Sequence, residues 1–189
     1  MSLITFPAPV SRQAGMRGGK MPRKERERRY ISEYMKTHFP DMQWQINVEL
    51  GPIPKEYVDR YGLGKAAAMF RPTRPRVDAV RWTPDKYYLI EAKLRDIKAG
   101  IGDLSYYKGM AKNTLDLPFY DGQEIVSQLV VPWMIEWIAW AAEAAQVEVV
   151  VFWVDWIADY IKERQHYFTS EYREARAAKM KLREILGLE

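Results

Sequence analysis

Three residues with side chains suited to metal-dependent chemistry lie on two consecutive predicted strands. Asp78 lies within residues 76–82, an apolar stretch that predicts a strand, and Glu91 and Lys93 lie within the next one, residues 87–94. A turn that contains a proline joins the two stretches and predicts a hairpin. Because side chains alternate between the faces of a strand, Glu91 and Lys93 point to the same face, and Asp78 can lie close to Glu91. The sequence therefore predicts two carboxylates and one ammonium on one surface patch.

Such a patch can hold a divalent cation. Two neighbouring carboxylates repel each other unless a cation neutralises them, and hard oxygen ligands suit Mg²⁺ or Mn²⁺. The ion can activate a water and stabilise charge on a phosphate, while Lys93 orients or deprotonates that water or offsets charge at the phosphorus. The plainer interpretation is an ordinary cross-strand Glu–Lys pair on the surface. The apolar neighbours Leu89, Ile90 and Ala92 argue against it, because a buried unpaired carboxylate is costly.

The surrounding elements follow a mixed α/β pattern. The spacing of apolar residues predicts, in chain order, a helix at 23–38, a strand at 44–50, a short helix at 55–61, then after the hairpin a helix at 101–113, a strand at 125–131, a helix at 134–145, a strand at 147–154, a short helix at 155–164 and a charged helix ending at Gly187. We expect a loop through Gly62 and Gly64. The nearly continuous apolar run at 147–154 predicts a buried strand.

With this arrangement the chain resembles the PD-(D/E)xK nuclease superfamily. The pattern of that superfamily is an aspartate on one strand and an acid-x-Lys triplet on the next, flanked by helices. Here it is Asp78 followed by Glu91-Ala92-Lys93, with twelve residues between the two acids. The resemblance covers roughly residues 25–155 in element order. It implies a restriction-endonuclease-like fold, a mixed β-sheet flanked by helices, and metal-dependent cleavage of DNA phosphodiester bonds.

The resemblance also implies roles for individual residues. Asp78, Glu91 and Lys93 would be catalytic, and the cofactor would be Mg²⁺ or Mn²⁺, held by the two acids and the backbone carbonyl of Ala92. Glu33, on the helix before the sheet, matches the place where many members carry a further acid.

The chain departs from the superfamily pattern in two places. Val77 stands where the superfamily name has proline, which is a common change. Exonuclease-like members often carry Gln-x-x-x-Tyr on the helix after the lysine. In this chain Asp103 replaces the glutamine and only Tyr107 fits, as a nucleic-acid contact. The departure argues against the exonuclease-like subgroup and leaves the metal core untouched.

Positive charge is concentrated at the N-terminus. Residues 1–30 hold eight Lys/Arg and two Glu, a net of +6, so the rest of the chain carries −2 of the total of +4. This arm can neutralise DNA phosphates through Arg17, Lys20, Arg23 and Lys24, or it can bind a protein partner or remain a solvated tail. The expected organisation is an arm at 1–24, a nuclease-like core at 25–168 and a charged C-terminal helix at 169–189.

Composition excludes several other kinds of site. The chain has no cysteine, which rules out disulfide frameworks, thiolate zinc sites and cysteine nucleophiles. His38 and His166 are isolated, so a histidine-based metal site is not expected. Residues 62–65 are not a P-loop, because Ala66 stands where Ser or Thr is needed. Glutamates interrupt the most apolar stretch, residues 129–145, and no signal peptide is visible, so we expect no membrane partner and a location in the cytoplasm or in a virus particle.

Trp133, Trp137 and Trp140 share one face of a predicted helix. Core packing is the first interpretation, a protein interface the second and base stacking the third.

Taken with the resemblance, the sequence supports a Mg²⁺-dependent deoxyribonuclease, of phage or mobile-element origin by analogy. The alternative is a non-catalytic assembly protein, for example a virus-particle component, within an oligomer or larger assembly.

Overall fold

The computed structural model describes residues 23–165 and 170–185. Four features of the sequence analysis lie outside these residues: the arm contacts Arg17 and Lys20, His166, the boundary at residue 168, and Gly187. Arg23 and Lys24 fall in the first turn of a helix, but their side chains also lie outside the described part.

The described elements are seven helices and five strands. The helices are α1 (Arg23–His38), α2 (Lys55–Tyr61), α3 (Leu63–Phe70), α4 (Ile97–Ala111), α5 (Glu136–Ala144), α6 (Trp156–Gln165) and α7 (Ser170–Ile185). The strands are β1 (Trp44–Glu49), β2 (Arg76–Trp82), β3 (Lys86–Ala92), β4 (Glu124–Val131) and β5 (Val147–Val151). They fall into two units: one contains the sheet and ends at Phe152, and the other begins at Trp153 and contains α6 and α7.

The strands form one open sheet in the order β1-β2-β3-β4-β5. The first three strands are antiparallel neighbours, and β3, β4 and β5 run parallel. Parallel neighbours need a crossover, which α4 provides between β3 and β4 and α5 between β4 and β5. The predicted mixed α/β sheet flanked by helices is therefore confirmed.

Alternating side chains build a core on both faces of the sheet. On one face Leu89 and Leu129 belong to a buried cluster with Leu104 of α4 and Ile138 of α5. On the other face the Tyr34 hydroxyl of α1 donates to the side chain of Gln128 at 3.0 Å. The buried residues of α1 recur three and four apart, as a helix packed on a sheet requires: Tyr30, Ile31, Tyr34 and Met35. Full burial of each such large side chain contributes about 1.5–3 kcal/mol.

Element boundaries differ from the sequence predictions in two places that bear on the site. Strand β3 ends at Ala92, so Lys93 lies just beyond the strand, although its N–H still donates to the Val130 carbonyl at 3.0 Å. Helix α4 begins at Ile97 rather than at residue 101, and it tolerates glycines at 100, 102 and 109 because its apolar side chains pack on the sheet.

Three other predictions are wrong. The loop predicted through Gly62 and Gly64 is reduced to Gly62, because α3 begins at Leu63, which its run of alanines favours and buried Ala66 anchors. Strand β5 is the edge strand and not a fully buried one, and Val151 is 51% exposed. Core packing fails for Trp137 and Trp140, which are 49% and 63% exposed because Ile138 and Ala142 form the buried side of α5.

The second unit contains two helices. Helix α6 confirms the short helix predicted near residues 155–164, and α7 confirms the charged helix that follows it. The charged side chains Glu174, Arg176 and Lys179 of α7 are exposed. Across the described ranges, no helix combines the length and the apolar character needed to cross a membrane.

Candidate active site

The carboxylates of Asp78 and Glu91 lie where the pairing of β2 with β3 stops. The last residues in register are Ala79 and Ile90, so the same register carried one residue further sets Asp78 opposite Glu91. Asp78 Oδ2 accepts a hydrogen bond from the Ala92 N–H at 2.9 Å, and Glu91 Oε2 accepts one from the Asp78 N–H at 3.4 Å. The side chains thus bind backbone donors at the end of the ladder, and both acids are fixed at one place.

The Lys93 ammonium lies between two carboxylates. Its Nζ donates to Glu91 Oε1 at 2.8 Å and to Asp103 Oδ2 at 2.9 Å. The side chains of Glu91 and Lys93 are only 5% and 13% exposed, whereas that of Asp103 is 40% exposed. The structure therefore brings the predicted Asp78, Glu91 and Lys93 together and adds Asp103 of α4.

Gly100 of α4 leaves the space that the Lys93 side chain occupies. A Cβ at position 100 would lie 2.9 Å from Lys93 Cγ and 2.6 Å from Leu129 Cδ1, both closer than real carbon atoms approach. From the sequence, glycine in the predicted helix signals only a weaker helix. Its role becomes visible only when α4 is packed on β3 and β4.

Burial and like charge raise the pKa values of both acids of the site. Burial raises the pKa of Glu91, and the charge of Asp78 raises it further, while Lys93 opposes both effects. Burial also raises the pKa of Asp78, against the hydrogen bond from Ala92 and the charge of Lys93. Both acids are therefore costly to ionise without more positive charge nearby.

Lys93 retains its proton at neutral pH. Burial acts to lower the pKa of Lys93, but the charges and hydrogen bonds of Glu91 and Asp103 outweigh burial, and the pKa is raised. In this arrangement the side chain is a fixed positive charge rather than a base that removes a proton from water.

Tyr107 lies close enough to the same group to sense its charges. It is four residues after Asp103, one turn along α4. Burial raises the pKa of Tyr107, and the negative charges of Glu91 and Asp103 raise it further. The phenol therefore keeps its proton.

Helix α1 carries Glu33, the further acid that the resemblance suggested, and also Glu27. Glu33 forms an ion pair with Arg29 at 2.7 Å, whereas the charge of Glu27 contributes to the raised pKa of Asp78. Glu27 lies three and four residues before the buried Tyr30 and Ile31, so it continues the sheet-facing stripe of α1.

The site could supply some of the oxygen ligands of a metal ion but not a complete coordination shell. Within residues 23–165 and 170–185, no group of three or more His, Cys, Asp or Glu is arranged to hold a metal. An ion would rely on Asp78 and Glu91, the Ala92 carbonyl and solvent or phosphate oxygens. This set fits Mg²⁺, which proteins usually bind through one or two carboxylates with its remaining positions taken by water and phosphate. The side chain of His38, which is isolated in the sequence, packs against the Tyr34 ring, and the two ring centres lie 4.6 Å apart.

No protein-family model matches this chain, and no curated protein matches it either.

Proposed function

We propose that this protein is a metal-dependent nuclease of the PD-(D/E)xK type that hydrolyses phosphodiester bonds in DNA. The observation that carries the proposal is the gathering of Asp78, Glu91 and Lys93 at the end of the β2–β3 ladder, where Glu91 accepts hydrogen bonds from both the Asp78 N–H and the Lys93 ammonium. The order of elements supports it: a helix, three antiparallel strands with two short helices between the first and the second, a crossover helix and a parallel strand. This is the frame of the proposed restriction-endonuclease-like fold.

Asp78 and Glu91, with the Ala92 carbonyl, would hold Mg²⁺ or Mn²⁺. The ion would supply an activated water and neutralise charge on the phosphate. The fit rests on the donors present, which are all hard oxygens, and on two buried carboxylates whose charge Lys93 only partly offsets.

The protein's own residues would act on the phosphate by position and charge. Lys93 would stabilise negative charge that develops on the phosphate oxygens, because it keeps its proton and is held in place beforehand. The Tyr107 hydroxyl would donate a hydrogen bond to the same group. Glu27 would add negative charge on the α1 side and strengthen cation binding.

Cleavage of labelled single- and double-stranded DNA, with and without Mg²⁺ or Mn²⁺, tests the proposal. We expect metal-dependent cleavage by the wild type and losses of at least about a hundredfold in Glu91→Gln and Lys93→Ala. Glu124→Gln and Lys112→Ala repeat the same chemical changes at exposed positions and should cleave normally. A wild type that neither cuts DNA nor gains thermal stability from Mn²⁺ contradicts the proposal.

A non-catalytic assembly protein on the same fold is the second candidate. The exposed Trp137 and Trp140 of α5 favour it, because tryptophan is enriched at protein interfaces. In that case Glu91→Gln and Lys93→Ala would assemble normally, whereas Trp137→Ser with Trp140→Ser would block assembly without unfolding the monomer. Sedimentation and DNA cleavage, both measured on the wild type and on these three variants, separate the two functions.

A further inference from the structure

Two residues of helix α4 contact the side chain of Lys93. Gly100 leaves room for the aliphatic stem, and Asp103, three residues later on the same helix face, binds the ammonium at 2.9 Å. Two features of α4 therefore position the Lys93 side chain: Gly100 leaves space for it, and Asp103 forms an ion pair with it.

The two carboxylate partners of Lys93 differ in what else they can do. Glu91 is almost fully buried beside Asp78, where a cation would compete with Lys93 for its oxygens. Asp103 lies on α4 and is 40% exposed. A cation at Asp78 and Glu91 would also repel the ammonium, and Asp103 is a second anion that would offset this repulsion and keep Lys93 in place.

We propose that Asp103 is the positioning residue of Lys93, which holds the ammonium in place when Glu91 is engaged by the metal ion. This inference rests on the proposed function for its purpose, but the holding contact can be tested without any metal. Asp103 acts through Lys93 and not on the substrate. A purely structural role is a poor alternative, because a half-exposed ion pair adds little to folding stability.

The metal-independent test removes the Glu91 charge by substitution. In Glu91→Gln without metal, the ¹⁵N-labelled Lys93 ammonium should still give a nuclear magnetic resonance signal protected from solvent exchange. In Glu91→Gln with Asp103→Asn, that protection should be lost. Lys93→Ala assigns the signal, and Asp121→Asn, at an exposed position, is the matched control. If protection persists in the double variant, Asp103 does not hold Lys93, whatever the protein's function.

The functional test compares Asp103→Asn, Asp103→Glu and the control in the full chain. We expect Asp103→Asn to lower kcat about tenfold to a hundredfold with little change in KM. Mn²⁺ affinity, measured by calorimetry, and the melting temperature should stay close to those of the wild type, and Asp103→Glu should recover part of kcat.

Two functional outcomes would overturn the inference. Loss of Mn²⁺ binding in Asp103→Asn would make Asp103 a metal ligand instead, and an unchanged kcat would remove its role. A wild type without cleavage or Mn²⁺ binding refutes the proposed function, while the metal-free resonance test still decides whether Asp103 holds Lys93.

Discussion

At the scale of single residues, the site depends on carboxylates that replace backbone pairing. Asp78 and Glu91 each accept a hydrogen bond from a backbone N–H of the neighbouring strand. The donors are backbone N–H groups rather than flexible side chains. The positions of the two acids are therefore fixed without a metal ion. The consequence is a buried pair of like charges whose ionisation depends on pH.

The metal-free protein should lose stability as pH rises. Burial raises the pKa of Asp78 and of Glu91, so the folded state binds protons more tightly than the unfolded chain does. Their contribution is complete below about pH 4, where unfolded carboxyl groups titrate, and it is lost as pH rises through the folded pKa values. We expect the free energy of unfolding, measured in urea between about pH 5 and about pH 8, to fall, and to fall less in Glu91→Gln. Equal slopes for the two proteins would contradict this.

Tyr87→Phe should stabilise the protein. Among the described residues, the buried hydroxyl of Tyr87 has no hydrogen-bond partner, and leaving such a group unpaired costs about 1–3 kcal/mol. We expect a gain of about 1 kcal/mol in urea denaturation. Tyr30→Phe is the control and should lose about as much, because the Tyr30 hydroxyl donates to the Phe152 carbonyl. A loss in Tyr87→Phe would instead reveal a buried water as the partner.

At the scale of elements, one face of α4 packs in the core and the adjacent face contacts the candidate site. Ile101 and Leu104 pack into the core, while Gly100 and Asp103, three residues apart, contact the Lys93 side chain. The crossover between β3 and β4 thus carries the residues that hold Lys93. Because the same helix is both a core and a site element, small changes in its packing should reach the chemistry.

Gly100→Ala and Gly102→Ala should have opposite effects on stability. Alanine improves helix propensity by about 1 kcal/mol at either position. A Cβ at position 102 meets nothing within 4 Å, whereas at position 100 it collides with Leu129 and Lys93. We expect Gly102→Ala to raise the melting temperature with normal cleavage. Gly100→Ala should cost about 1–3 kcal/mol and reduce cleavage. A stabilised, fully active Gly100→Ala would show that α4 shifts freely.

At the scale of the whole molecule, charge is divided along the chain. The first 30 residues carry +6 and the remainder −2. A basic segment attached to a weakly acidic core would draw DNA to the protein without specifying sequence. The arm contacts Arg17 and Lys20 remain predictions from the sequence.

Arg17→Ala with Lys20→Ala should weaken DNA binding and its dependence on salt. Each phosphate contact contributes about 0.9 to the slope of log affinity against log salt, so losing two should reduce it by about 2. Fluorescence anisotropy with labelled DNA at several salt concentrations measures this. Lys86→Ala with Lys112→Ala removes the same charge from exposed positions of the core and is the control. Unchanged binding with failed assembly would assign the arm to a protein partner.

The sequence alone determined the elements whose signals are local. Strand β2 lies where the sequence predicts it, and β3 differs only at its ends, because a hairpin joins neighbouring stretches and its side chains alternate strictly. For the same reason the sequence could place Asp78 beside Glu91. Helices α2 and α6 also follow from local spacing.

Only the tertiary structure decided which groups from distant elements meet. An apolar run such as β5 has the same composition at the edge of a sheet as at its centre, so its position depends on strand order. The pairing of Lys93 with Asp103 depends on how α4 crosses the sheet. Such contacts arise from the packing of whole elements, in which non-local burial outweighs local preference.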